Sequence, residues 1–483
     1  MKHFSRWPVF LIASTVLIYG FYTANRAFPI IPTPSWITPA APSSLLLAQQ
    51  DLWALLFPRL VAHEPQCEPI KHVNGGDLVV GYDASRTTQR PDRLNVTETQ
   101  VSALRTAHRA FKTHLEDMRY QLPFVNGTRG IVTTAGGNYL PVSVVSIRML
   151  RETGCMLPVE VFLACDDEWD AEICDNVFPS MSARCVVLDS VFRPSLAVRI
   201  EKYQYKIMAI IFSSFQDVLF LDSDSFPLHD PSGLFTAEPF QSTGMVLWPD
   251  FWFASESPAF FDIAGLEMPP LARMPATESG ELMYSKSKHT QSLLLALYYN
   301  FYGPDFYYPL QAQGAPGEGD KETFLWAALA FNESFHKVQQ KIRALGYITT
   351  SKEWRGSAMV QYDPRTDLPR AAASSDGRGD DEGRTMARPL FVHANFPKLN
   401  PGSIFQDVSF GVTGPTRDAD GTMRRIWHTS ADEAVAFCGY DAERRLWSVV
   451  REIACRYEGK FVTWEGRRDV CVNATVYWDR VFG

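Results

Sequence analysis

Val218-Leu219-Phe220-Leu221-Asp222-Ser223-Asp224 is a run of four apolar residues that ends in two carboxylates two positions apart. A short apolar run with β-branched and aromatic members reads as a buried strand. Residues at i and i+2 of a strand face the same side, so Asp222 and Asp224 are expected to converge on one cation. Mg²⁺ and Mn²⁺ take carboxylate oxygens and leave positions open for phosphate oxygens. In an open α/β sheet, nucleotides bind at the carboxyl ends of the strands. A nucleotide-sugar-dependent transferase needs such a site. The competing reading is a strand-end turn, where aspartate is common. Asp418-Ala419-Asp420-Gly421 has the same spacing but no apolar run ahead of it, and reads as a loop.

Strands and helices alternate around the acidic run. Gly130–Thr134, Val159–Leu163, Arg184–Leu188, Asp217–Leu221 and Gly244–Trp248 are expected strands, with helices over Val142–Thr153 and Ile200–Ser214. That alternation predicts an α/β fold with a parallel sheet and right-handed crossovers. Ala135-Gly136-Gly137-Asn138 reads as a tight turn after the first of these strands, and such a loop borders the nucleotide crevice. Thr133, Thr134, Asn138 and Tyr139 are therefore candidate nucleotide contacts, since the glycines permit close approach and the side chains offer hydrogen bonds or stacking. Lys206, on the helix that precedes the acidic strand, is assigned to the same role.

Three other segments carry possible chemistry. Gly317-Glu318-Gly319-Asp320-Lys321-Glu322 is a glycine-rich turn running into a helix over Phe324–Phe331, and Asp320 and Glu318 are the candidate catalytic acids. The plainer reading is a helix start stabilised by acids in its first turn. In Phe391-Val392-His393-Ala394-Asn395-Phe396-Pro397-Lys398, a short strand ends in a histidine. His393 would complete a metal shell with two aspartates, and Lys398 would neutralise a departing diphosphate. The aromatic run Tyr298–Tyr308 could face a sugar acceptor, although aromatics at that density are more often core. Glu278 is a weaker acid candidate near the acceptor.

The chain has 483 residues, 46% hydrophobic and 21% charged, with a formal net charge of −8 that argues against a nucleic-acid partner. Lys2 and Arg6 precede an uncharged apolar stretch, residues 7–25, of a length that suits a membrane span. A type II anchor would leave residues 1–6 cytoplasmic and the rest lumenal; a cleaved signal peptide is the alternative. Residues 26–50 are proline-rich and read as a stem. Residues 51–129 read as a helical N-terminal extension, with Thr97-Glu98-Thr99-Gln100 leading into one amphipathic segment over Val101–Leu115; 130–410 read as the catalytic domain and 411–483 as a cysteine-containing C-terminal extension. Sequons at Asn95, Asn126, Asn332 and Asn473 and eight cysteines fit an oxidising lumen. No cysteine pair has zinc-site spacing, so disulfides are expected. The tract Arg370–Arg388 reads as a low-complexity loop.

Taken together, Gly130–Tyr139, Tyr203–Leu228, Thr277–His289, Leu297–Phe324 and Phe391–Pro401 resemble the fungal mannan-branching α-mannosyltransferases of glycosyltransferase family 71, especially the α-1,2 branch. The resemblance covers roughly residues 75 to 480. It implies a GT-A type fold with a mixed α/β sheet behind a transmembrane helix and stem, a Golgi type II membrane protein, a Mn²⁺ requirement, GDP-mannose as donor and a mannan or N-glycan acceptor, with a Golgi transferase complex as a possible assembly. It also implies that Asp222, Asp224 and His393 hold the metal, that Lys398 supports the leaving group and that Gly319-Asp320 lies beside the reacting sugar. Lys321 stands where related families often carry an amide. A UDP-sugar transferase of the same fold, an α-1,3-mannosyltransferase and a catalytically silent lumenal sugar-binding protein are the alternatives.

Overall fold

The computed structural model describes residues 43–73, 81–83, 85, 89–192, 200–271, 275–367, 386–406, 416–418 and 420–483. The expected anchor, the N-terminal part of the stem and most of the Arg370–Arg388 tract lie outside the described residues. Among the described residues, no helix is long and apolar enough to cross a membrane.

In chain order the strands are β1 (Lys71–His72), β2 (Leu94–Asn95), β3 (Val125–Thr134), β4 (Val159–Leu163), β5 (Ala183–Val187), β6 (Phe215–Leu221) and β7 (Ser225–Pro227). They continue with β8 (Met245–Phe253), β9 (Pro275–Ser285), β10 (His336–Lys337), β11 (Arg343–Ile348), β12 (Trp354–Tyr362) and β13 (Pro389–His393). β1 and β2 form a small ladder, and seven strands form the main sheet in the order β10-β8-β9-β6-β3-β4-β5. The pairs among β6, β3, β4 and β5 are parallel, whereas β9 runs antiparallel to both β6 and β8. The sheet is therefore mixed, as expected: parallel through β6, β3, β4 and β5, where strands and helices alternate, and antiparallel at β9. Alternation could not reveal β9, because it follows a stretch that carries no helix long enough for a parallel crossover. A second, antiparallel sheet has the order β11-β12-β13-β7.

The core follows from the apolar runs. Val218 to Leu221 on β6 are buried, and every residue of the helix Gln204–Phe212 beside it except Tyr205 is buried as well. A helix apolar around most of its circumference must be covered on all sides. Each fully buried Ile, Leu or Phe contributes roughly 1.5–3 kcal/mol of transfer free energy. The helix Glu98–Met118 starts where Thr97-Glu98-Thr99-Gln100 predicts, with Thr97 and Gln100 forming a reciprocal capping box. The aromatic run is core: Tyr298, Tyr299 and Tyr307 are fully buried, and Tyr299 lies 4.7 Å from Tyr307 between ring centres. The plainer reading of that run, as core, is the one the structure bears out. Two of the expected disulfides are present, Cys174–Cys185 and Cys455–Cys471.

β6 and β7 belong to different sheets, and Asp222-Ser223-Asp224 is the link between them. β7 pairs with β13 so that Ser225 lies opposite His393. The chain's change of sheet thus brings the acidic turn beside a strand that is 165 residues further on at its nearest member, Pro389 to Asp224.

Candidate active site

The acids are held by backbone first. Asp222 N–H donates to Gly280 O on β9 at 2.9 Å, Ser225 N–H closes a turn onto Asp222 O at 2.8 Å, and Ala394 N–H donates to Asp224 O at 2.9 Å. The Ser146 hydroxyl donates to Ser223 O at 2.6 Å. The strand ends at Leu221, so the two carboxylates are not i and i+2 of one strand. They converge because the turn is tied to three elements at once, which corrects the strand-face argument while leaving its conclusion in place.

Donor atoms of Asp222, Asp224 and His393 all lie within 4.8 Å of one another. That is close to the span of two ligands bonded at about 2.1 Å on opposite sides of one ion. Two carboxylates with an imidazole suit Mn²⁺, which accepts oxygen and nitrogen donors. His393 Nε2 lies 3.2 Å from Asp224 Oδ1, and its Nδ1 lies 3.5 Å from Glu278 Oε1. A carboxylate behind a ligating histidine fixes its ring and tautomer. Glu278 therefore stands behind the histidine. The Glu278 carboxylate is itself fixed by the N–H groups of Ser279 and Gly280 at 3.0 and 2.6 Å. Gly280 allows the close approach, because a Cβ there would lie 2.6 Å from His393 Nδ1.

The charges are strongly coupled. Burial disfavours an imidazolium at His393, yet Asp224 and Glu278 hold its pKa well above the ordinary histidine value. Asp224 is also buried, but His393 and Lys398 keep its carboxyl well below the usual range. Lys398 pairs with Asp224, and its side chain is 42% exposed at the cavity mouth.

Lys206 is different. Its buried Nζ donates to Ser279 O at 2.6 Å and Ser279 Oγ at 2.8 Å, and lies 3.3 Å from both Asp222 and Asp320. Burial opposes its charge, but Asp222, Asp320 and Glu278 raise its pKa above the ordinary lysine value. Lys206 lines the cavity, as its assignment as a nucleotide contact requires, and directs its donors to Ser279 and the acids. Asp320 stands behind it, with a pKa pushed up to about 6 by burial against the opposing pull of Lys206. Glu318 is not gathered with this trio: its carboxylate meets His72 at 3.2 Å and the Gly314 N–H. Lys321 pairs with Asp250 at 2.8 Å and is buried.

A cavity of about 490 Å³ opens beside the trio. Its lining includes Asp222, Ser223, Asp224, Lys206 and Lys398, together with Thr134, Gly136, Tyr139, Phe162, Ala164, Glu168, Tyr203 and Tyr205. Thr134 and Tyr139 are placed as expected from the sequence. Thr133 and Asn138 are not: Thr133 is buried beneath the sheet end, and Asn138 is exposed and uses its carbonyl to accept from Asn400 Nδ2 at 3.0 Å. Alternation along β3 sends Thr133 to the face opposite Thr134. Glu168, Ser279, Gly280 and Tyr205 had no place in the sequence reading. Gly280 falls within Thr277–His289, where a glycine inside an apolar strand is itself a signal of close approach.

With this geometry in view, relatives can be weighed. The family described as "Mannosyltransferase putative" matches residues 128–275 and 271–363, which include Asp222, Asp224, Glu278 and Asp320. The chain is 31% identical to alpha-1,2-mannosyltransferase MNN22 of Candida albicans, over 78% of this chain and 76% of that protein. It belongs to this mannosyltransferase family. It is also 33% identical to alpha-1,2-mannosyltransferase MNN21 of the same organism, over 76% of this chain but 63% of that one. The chain thus spans less than two thirds of that relative's length. A solved galactosyltransferase, LgtC with donor and acceptor sugar analogs, overlaps 43% of this chain and 73% of its own at 12% identity and a TM-score of 0.29, too slight an overlap to bear on fold or chemistry.

Proposed function

We propose that this mannosyltransferase family member moves mannose from GDP-mannose to an α-mannoside of a mannan or N-glycan, with retention, forming α-1,2 links on a GT-A type fold. The observation that carries the reading is the convergence of Asp222, Asp224 and His393 beside a cavity large enough for a nucleotide. Mn²⁺ held by these three would act as a Lewis acid on the diphosphate.

The rest of the work falls to side chains. Lys398, half-exposed beside Asp224, is positioned to turn toward a phosphate oxygen and offset the charge of departing GDP. Lys206 fixes Asp222 relative to Asp320 and Ser279, so the acids enter the reaction already oriented. A double displacement needs a free carboxylate under the anomeric carbon. Asp320 is held 3.3 Å from the Lys206 ammonium and accepts from Ser279 Oγ at 3.3 Å, so it serves as a brace. That favours front-face substitution, in which orientation and leaving-group support suffice. We place this chemistry in the Golgi lumen, behind an anchor over residues 7–25, with Asn95, Asn126 and Asn332 exposed at the surface.

Purified protein with Mn²⁺ and an α-mannoside acceptor should release GDP from GDP-mannose, and the product should be sensitive to an α-1,2-mannosidase. Turnover of a UDP-hexose and not of GDP-mannose would overturn the donor. An α-1,3 product would overturn the linkage alone. No turnover of any donor, with Mn²⁺ bound, would favour a sugar-binding role.

A further inference from the structure

The cavity lining contains a charge that phosphate chemistry does not explain. Glu168 follows β4 in a short turn, and its Oε2 accepts the Ala164 N–H at 2.7 Å. The residue lines the cavity. β4 stands two strands from β6 in the sheet, with β3 between them. At about 4.8 Å per strand, the ends of β4 and β6 are roughly 10 Å apart. A diphosphate at Asp222 and Asp224 would therefore put its base over the ends of β3 and β4, against Gly136 and Glu168.

A carboxylate is a poor neighbour for a polyanionic ligand unless that ligand offers it donors. Guanine is the common base that presents two adjacent donors on one edge, N1–H and the N2 amine, which match the two oxygens of a carboxylate. Uracil presents a single N–H flanked by two carbonyl oxygens, and those would face the carboxylate oxygens unfavourably. The approach is built into the turn. A Cβ at residue 136 would lie 2.4 Å from the Glu168 carboxyl, so that carboxyl rests on the bare face of Gly136. The residue-136 backbone is extended, with a φ of 168°, so the glycine is not required by its conformation. It leaves room for Glu168.

We infer that Glu168, seated on Gly136, reads the guanine edge of the donor nucleotide and sets the preference for GDP over UDP. This rests on the GDP-mannose reading above and assigns a residue to its base specificity.

The test is calorimetric binding of GDP, IDP and UDP to the intact protein in Mn²⁺. IDP lacks only the N2 amine, so it probes the second donor without any mutation. Wild type should bind GDP about tenfold more tightly than IDP, and more tightly still than UDP. Glu168→Gln should weaken GDP by about ten- to hundredfold and shrink the GDP-to-IDP ratio below about threefold. Gly136→Ala, which displaces only the end of a flexible side chain, should reduce the same ratio. Unchanged Mn²⁺ affinity in both variants reports an intact fold. If wild type prefers GDP and both variants keep its full preference, Glu168 does not read the base and the donor assignment stands. If wild type prefers UDP, the donor assignment fails and this inference falls with it.

Discussion

The chain contains two Asp-x-Asp segments, and the structure treats them in opposite ways. At Asp418 and Asp420 the carboxylates are consumed locally. Asp418 Oδ2 accepts the Thr350 N–H at 2.7 Å and pairs with Arg424, and Asp420 Oδ1 accepts the Thr422 N–H at 2.9 Å. Gly421 N–H closes the turn onto Asp418 O at 2.8 Å. These are the ordinary uses of aspartate in a loop. At Asp222 and Asp224 the backbone is satisfied by β9, β13 and its own turn, which leaves the carboxylates free to face a histidine, two lysines and a cavity. Spacing is the same in both. Only one of them joins two sheets, and a sheet change brings distant strands to one point.

The largest difference between the two should be in turnover. Asp222→Asn or Asp224→Asn should lower mannosyl transfer by at least about 10²–10³-fold, the scale of losing electrostatic support for a leaving group. Asp418→Asn and Asp420→Asn should leave it within about twofold, read by GDP release at saturating Mn²⁺. Next comes the shell behind the trio. Gly280→Ala forces a Cβ to within 2.6 Å of His393 Nδ1, and Glu278→Gln removes the carboxylate that orients the ring. Each should weaken Mn²⁺ by about 10–100-fold, measured by calorimetry.

A pH dependence follows with a definite sign. The His393 pKa is raised by its two carboxylate neighbours, so near neutral pH the ring is protonated in the metal-free protein. A metal ligand must be a neutral imidazole. Mn²⁺ affinity should therefore rise with pH, by up to about tenfold per unit, until the solution passes the raised pKa. Proton release on Mn²⁺ addition, followed with an indicator dye, checks it. The smallest effect belongs to the loop: Asp418→Ala should cost about 1 kcal/mol in urea unfolding, the worth of its hydrogen bond and ion pair.

How much of this was legible in the sequence depended on distance along the chain. β6 announced itself through four consecutive apolar residues, and the helix Glu98–Met118 through its capping box, because both signals are local. His393 was legible as the end of a short strand. Its partner Glu278 was seen only as an acid, since the fact that β9 runs antiparallel beside β6 is a pairing that no local pattern reports. Lys206 was assigned to the nucleotide from its place on the helix before the acidic strand. Only the structure shows Ser279 and Asp320 occupying its donors. The tyrosines near 298 were legible as core, the more frequent fate of aromatics at that density, although density does not by itself distinguish a core from a sugar platform. Glu168 was invisible because a charged residue after a strand, in a turn of three residues, is what any surface loop contains.

The central claim is that the acidic turn between the two sheets, and not the spacing Asp-x-Asp itself, makes the metal site. Mn²⁺ titrated into the purified protein, with free ion followed by electron paramagnetic resonance, tests it in three forms: wild type, Asp222→Asn with Asp224→Asn, and Asp418→Asn with Asp420→Asn. One tightly bound ion per chain is expected in wild type and in the loop variant, and none in the turn variant. Retention of that ion by the turn variant, or its loss from the loop variant, would contradict the account.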